Sequence, residues 1–286
     1  MSGKMASTQA EAGTTASRTV RSRDGTTISY RTVGDGPAVI VIPGAMSTAD
    51  DYAAFADALG GHFTVHTIER RGRGLSGPQG DHYGIGKECD DVAALRDETK
   101  ARYLVGHSYG GLVALEAARK NTALTKIAVY EPGVSVDGRI SMTWVPRYRQ
   151  ELAEHKYLDA FAEFSIAAGP QRAQKTPRWM MKLVLMLMMR AKRRQKMYRL
   201  LLANLLEHQE VARLDNTYHN YREVSASTLL MFGGRSGLTW VAPAIKRLSE
   251  VLPASELRGF PKLDHFGPDQ KGPREVAEAV KQYFLQ

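Results

Sequence analysis

The chain has 286 residues, with 39 Lys and Arg against 30 Asp and Glu and a formal net charge of +9. The excess is local: residues 164–206 hold ten bases and no acid, while the remainder carries 29 bases against 30 acids, which excludes a general nucleic-acid binder with basic residues spread over its surface. A hydrophobic fraction of 43% and one cysteine, Cys89, describe a globular chain with no internal disulfide and no cysteine-held metal cluster, and lead to the expectation of a cytoplasmic protein.

Residues 1–17 are rich in Ser, Thr, Ala and Gly and read as a disordered tail, without the apolar run of a secretory signal. Residues 18–33 read as two short strands around the turn pair Asp24-Gly25. Ala38 to Ile42 is a mostly β-branched run closed by Pro43-Gly44, and Phe63 to Ile68 is a second apolar run. Asp90 to Leu95 begins a helical pattern, Tyr103 to Val105 is a strand ending at Gly106, and Leu112 to Ala118 is helical. Ile127 to Tyr130 and Thr228 to Phe232 are strands, and Pro273 to Leu285 is an amphipathic helix. Apolar strands without polar alternation, separated by helices, imply a mostly parallel sheet covered on both faces. Between about 135 and 224 only helical patterns occur. The expected organisation is one core formed by 18–134 and 225–286, with a helical insertion at 135–224.

The strand at Tyr103 runs into Gly106-His107-Ser108-Tyr109-Gly110 and then a helix. This is G-x-S-x-G in a strand–turn–helix setting. A serine on so sharp a turn projects its hydroxyl above the C-terminal edge of the sheet, and the N–H of Tyr109, at a helix start, can stabilise an oxyanion. His107 lies inside the elbow and is expected to pack beneath it.

With these residues the sequence resembles the α/β-hydrolase superfamily, over nearly all of residues 24–286. The resemblance implies about eight strands, mostly parallel, flanked by helices, with the insertion as an all-helical cap. Val41-Ile42-Pro43-Gly44-Ala45 looks like the superfamily's oxyanion loop, with Pro43 in place of the usual histidine and the N–H of Ala45 as the second donor. Glu69 to Gly77 looks like the D-x-R-G-x-G-x-S segment, with Glu69 in place of Asp, and reads as structural. Asp264-His265-Phe266-Gly267-Pro268 precedes the last helix, where the superfamily carries its catalytic histidine, so His265 is the candidate general base. The acid commonly follows the strand at 228–232, but Ser236 stands at that place, and a neutral serine cannot stabilise an imidazolium as a carboxylate does. Either the triad is incomplete, or the acid is Glu131 at the tip of the preceding strand, which keeps the order serine, acid, histidine. Asp264 is a poor alternative and Asp137 a remote one. Gly44, Met46 and Trp179 are candidate substrate contacts. The resemblance implies no cofactor and no metal.

Within the insertion, residues 179–197 hold six of the 11 methionines, and Trp179 to Met189 is apolar nearly all round a helical wheel, as expected of a helix buried on several sides or meeting a partner or membrane. Further on, Tyr198, Leu201, Leu202 and Leu205 share one face, with Lys192, Arg193, Lys196 and Arg199 opposite. Three roles follow for the segment: a packed cap with a solvated basic face, a Met-rich lid over an apolar acyl pocket, or a weak contact with anionic membrane. The expected activity is hydrolysis of an ester, thioester or lactone of an apolar small molecule through an acyl-enzyme on Ser108. Alternatives are C–C bond hydrolysis with the same residues, or a ligand-binding or sensor protein whose triad has decayed at Ser236.

Overall fold

The Asp24-Gly25 pair closes a hairpin between β1 (Ser17–Arg21) and β2 (Thr27–Val33), with Gly25 at φ +81° and the Thr26 N–H donating to Asp24 Oδ1. The computed structural model describes residues 17–286; the tail expected at 1–17 lies outside these except for Ser17, which starts β1. β3 (Ala38–Ile42) leads through α1 (Ala53–Gly60) to β4 (Thr64–Ile68), and α2 (Ile85–Thr99) leads to β5 (Tyr103–His107). α3 (Tyr109–Lys120) then connects to β6 (Lys126–Tyr130). The sheet order is β1-β2-β4-β3-β5-β6, with β2 antiparallel to both of its neighbours and the later pairs parallel.

Successive strand residues enter opposite faces. Ile40 and Ile42 of β3 pack with α2 and α3 on one side, while Val39 and Val41 pack with α1 on the other. Both faces are thus apolar, and each fully buried aliphatic side chain contributes about 1.5–3 kcal/mol. β6 divides in the same way, with Ile127 and Val129 against Ala128 and Tyr130.

After β6 come five helices: α4 (Val145–Ala153), α5 (Tyr157–Ala167), α6 (Gln171–Gln174), α7 (Arg178–Met188) and α8 (Ala191–Arg213). The chain returns to the sheet as β7 (Ser227–Gly233), then α9 (Val241–Val251), β8 (Ser255–Phe260) and α10 (Pro273–Leu285). β7 and β8 extend the sheet in parallel to eight strands. β8 had no apolar signature in the sequence: it reads Ser-Glu-Leu-Arg-Gly-Phe and is mostly exposed, because an edge strand covered on little of its surface needs no apolar run.

The cap has its own apolar cluster, from Trp144 to Leu205, whereas Val134, Val136, Val211, Tyr221 and Val224 pack with the sheet. The packed unit is therefore narrower than 135–224. On α8 the buried positions include Met197, Leu200, Leu201, Asn204 and Leu205, and Leu202 points outward, about 100° round the helix from Leu201. Lys196 likewise leaves the proposed solvated face and pairs with Asp51 of the core at 2.6 Å. No helix among the described residues is long and apolar enough to cross a membrane.

Candidate active site

The register of the sheet brings the candidates together. His107 of β5 lies opposite Tyr130 of β6, so the next residues, Ser108 and Glu131, leave the C-terminal edge side by side. The Ser108 N–H still donates to the Tyr130 carbonyl at 3.0 Å. Ser108 sits at φ +54°, ψ −121°, a backbone conformation that L residues rarely adopt and that stores on the order of 1–3 kcal/mol. Gly106 and Gly110 allow this turn, since a Cβ on either would strike backbone carbonyl oxygens. Glu131 at φ +40° and Met46 at φ +57° are strained in the same sense. Three unfavourable backbones thus meet at one site, held by the packing around them.

Glu131 is 0% exposed, and its carboxylate meets three donors. Oε1 accepts from the Gly233 N–H at 2.9 Å, and Oε2 accepts from the Ser236 hydroxyl at 2.8 Å and from His265 Nδ1 at 2.7 Å. Ser236 therefore stands where the acid was expected from the resemblance, and it hydrogen-bonds the acid that is present. An ionised carboxylate can only accept, so His265 Nδ1 carries its proton and Nε2 presents a lone pair. Asp264 does not reach its own neighbour's ring: its Oδ1 accepts from the Phe266 N–H, and its carbonyl accepts from the Tyr130 hydroxyl at 2.7 Å. Asp137 lies exposed in a loop whose N–H binds Asn216. Among the described residues no hydrogen bond joins Ser108 Oγ to the His265 ring, an arrangement common before substrate binds.

His107 was expected only to pack beneath the elbow; it also connects two loops. Its Nε2 lies 2.7 Å from the His265 carbonyl and its Nδ1 2.5 Å from the Tyr52 hydroxyl, which accepts from the Gly44 N–H at 3.1 Å. Burial pushes the His107 imidazole well below its ordinary pKa, with His265 adding to the shift, so the ring is neutral. A carbonyl only accepts, so Nε2 carries the proton and Nδ1 accepts from Tyr52. One chain of bonds thus runs from the loop after β3 to the loop carrying His265. Tyr52→Phe leaves two buried groups unpaired and is expected to lower stability by about 1–3 kcal/mol in urea unfolding; an unchanged midpoint and slope would remove the link.

The oxyanion loop is fixed from below. Arg70 Nη1 donates to the carbonyls of Pro43 at 3.2 Å and Gly44 at 3.0 Å. A trans peptide points its C=O and N–H in opposite directions. Anchoring the Gly44 carbonyl therefore aims the Ala45 N–H away from the guanidinium. Neither that N–H nor the N–H of Tyr109 has an acceptor among the described residues. Gly44 adjoins Ser108 directly: a Cβ placed on it would lie 3.2 Å from Ser108 Cβ. Met46 packs against the cap cluster, at the seam between core and cap.

Arg70 belongs to a buried cluster that the sequence did not reveal. Its Nε and Nη2 bind the carboxylate of Glu88 on α2, and Nη2 also lies 2.7 Å from Glu207 on α8. Glu207 meets Arg73 as well, at 2.6 Å, and Arg73 holds the Ser47 carbonyl. Burial acts against the Arg70 charge, but Glu207 and Glu88 outweigh it and hold its pKa well above the ordinary guanidinium value. Tyr83 donates to Glu88 at 2.6 Å and accepts from Tyr109 at 2.8 Å, and the Tyr109 ring lies 4.6 Å from the Arg70 guanidinium carbon. Two arginines and two glutamates thus join elbow, oxyanion loop and cap. The signal available was the arginine run at Arg70, Arg71 and Arg73, too basic for a solvated turn in a core of near-zero net charge.

Trp179 is not brought to this site. It is 69% exposed, on the side of α7 away from the buried Met181 and Leu185. The tryptophan beside the histidine is Trp240, whose ring packs edge-on to His265 with centroids 5.8 Å apart. A cleft of about 510 Å³ opens within the cap, between Leu152, Tyr157, Tyr198 and Leu202, and none of its lining residues belongs to the elbow.

The model of the alpha/beta hydrolase family matches residues 39–279. The structure superimposes on an alpha/beta hydrolase from Sphaerobacter thermophilus with a TM-score of 0.79 and 27% identity, over 93% of this chain and 100% of that one. Over 111 residues, 37% of its length, the chain is 35% identical to the N-formylmaleamate deformylase of Pseudomonas putida. Over 106 residues, 36% of its length, it is 32% identical to the 2-(acetamidomethylene)succinate hydrolase of Mesorhizobium japonicum. These matches span 41% and 38% of the two relatives.

Proposed function

The chain belongs to the alpha/beta hydrolase family, and on that footing we propose that it is a serine hydrolase that transfers an acyl group through Ser108 to water, with an ester, thioester or lactone of an apolar small molecule as substrate. The observation that carries this reading is the contact of His265 Nδ1 with the fully buried Glu131 carboxylate at 2.7 Å. A decayed binding scaffold has no need to keep a buried acid on that ring with two further donors aimed at it.

In the proposed reaction His265 Nε2 takes the proton of Ser108 as Oγ bonds to the carbonyl carbon. The carbonyl electron pair moves onto oxygen, held by the N–H groups of Ala45 and Tyr109. The leaving group departs with the proton from His265, and water activated by the same ring cleaves the acyl-serine. Glu131 keeps the ring in the productive tautomer and stabilises its charged form. Gly44 and Met46 border the acyl group, and Trp240 takes the place of Trp179 beside the reacting centre. A second reading keeps the residues and changes the leaving group to nitrogen. It is favoured by the partial match to a deformylase and to a hydrolase of an acetamido compound.

Intact-mass analysis after a fluorophosphonate probe tests the proposal. We expect one adduct, absent from Ser108→Ala and from heat-unfolded protein. A folded chain that stays unlabelled at mildly alkaline pH would refute it. Competition of labelling by ester and N-acyl amide panels then separates the two leaving groups.

A further inference from the structure

The outer face of α7 is built the wrong way round for water. The bases of the helix point inward: Arg178 pairs with Glu151 and Glu163 of α4 and α5, and Lys182 pairs with Asp159 of α5 at 2.8 Å. Only Met181 and Leu185 are buried. Trp179, Met180, Leu183, Val184, Met186, Leu187 and Met188 stand exposed, Leu187 at 76% and Met188 at 81%. At 100° per residue these seven cover a continuous arc of about half the helix circumference. A contiguous apolar surface of this kind marks a contact site.

The charges around it select the partner. Of the ten bases in 164–206, three are paired with acids. Arg194 donates to the carbonyls of Met186 and Met189, which ties the end of α7 to the start of α8 as one unit. The other six, Arg172, Lys175, Arg190, Lys192, Arg193 and Arg199, are exposed and have no ion-pair partner among the described residues. Arg190, Lys192 and Arg193 crowd the N-terminus of α8, where the helix dipole adds positive potential and no acid stands in the first turn. Two copies of such a face would repel each other. An anionic lipid surface would receive the apolar arc in its acyl layer and the bases among its headgroups.

We propose that α7 and the start of α8 form a docking surface for anionic membrane, with the apolar arc of α7 inserted and Arg190, Lys192 and Arg193 on the headgroups. This goes beyond the proposed reaction and is independent of Ser108. The test is partition of the full chain onto vesicles of phosphatidylcholine alone or mixed with phosphatidylglycerol, at low and high salt. Binding is expected only to the mixed vesicles and is weakened by salt. The triple change Arg190→Gln, Lys192→Gln, Arg193→Gln is expected to lower partition about a hundredfold, since each base near the surface contributes about fivefold. The pair Leu187→Ser, Met188→Ser removes binding with an unchanged circular dichroism spectrum. Bound protein shows a blue-shifted tryptophan emission quenched by brominated lipid, and Trp179→Phe loses that quenching. Equal partition to both vesicle types overturns the proposal. So does its absence from both, or a dimer in sedimentation that the Leu187→Ser, Met188→Ser pair dissociates.

Discussion

Glu131→Gln is expected to lower kcat about ten-thousandfold on a chromogenic ester with little change in stability, the size of effect seen when a triad acid becomes an amide. The geometry supplies the reason. Gly233 N–H requires an acceptor at the Oε1 position, so the amide oxygen goes there and the NH₂ replaces Oε2. That NH₂ then donates to His265 Nδ1, 2.7 Å away. The histidine proton moves to Nε2, the wrong nitrogen for taking a proton from Ser108. Ser236 adds an internal check. Its hydroxyl lies 2.8 Å from Glu131 Oε2, so Ser236→Asp in the Glu131→Gln background places a carboxylate near the same nitrogen. That double variant is expected to recover about a hundredfold of the loss. Ser236→Asp alone crowds two carboxylates, one of which stays protonated. Turnover by Glu131→Gln within tenfold of the parent would remove Glu131 from the mechanism.

Glu207→Ala is expected to destabilise the chain by about 3–5 kcal/mol, because it leaves buried guanidinium groups short of a counter-charge. Glu207 is 0% exposed and serves both Arg70 and Arg73. Arg70 retains Glu88, but among the described residues Arg73 then keeps only the carbonyls of Ser47 and Arg71. Urea unfolding measures the loss, and limited proteolysis locates it at the junction of α8 with the loop after β4. A change below about 1 kcal/mol would mean that the cluster contributes no more than an exposed ion pair does.

The parts of the site legible in the sequence were those with a local signature. Ser108 is marked by its glycines and His265 by its place before the last helix, while Glu131, at a strand tip in the right chain order, is one of two readings beside an incomplete triad. The remaining parts depend on residues distant in sequence. Arg70 meets Glu207 across 137 positions, and no periodicity announces such a pair. Tyr52 and His107 look like core residues until both ends of the histidine are seen bonded. Trp179 was selected by its position in the insertion, although Trp240, a few residues beyond Ser236, is the one that packs on His265. In the fold, β8 escaped notice because an edge strand can be polar, and the apolar run of α7 leaves open whether the helix is buried on several sides or meets a partner or membrane; its arc faces outward.

The same guanidinium that fixes the Gly44–Ala45 peptide is bound by a glutamate of the cap. Roof and oxyanion donor therefore share one set of interactions, and linkage between them is reciprocal. Whatever loosens α8 from the core also loosens the Gly44–Ala45 peptide, and in the proposed reaction an anion captured on that peptide is expected to hold the roof in place. The cap is then less a hinged door than a keystone: under the proposed reaction, turnover is expected only in the state in which it is seated.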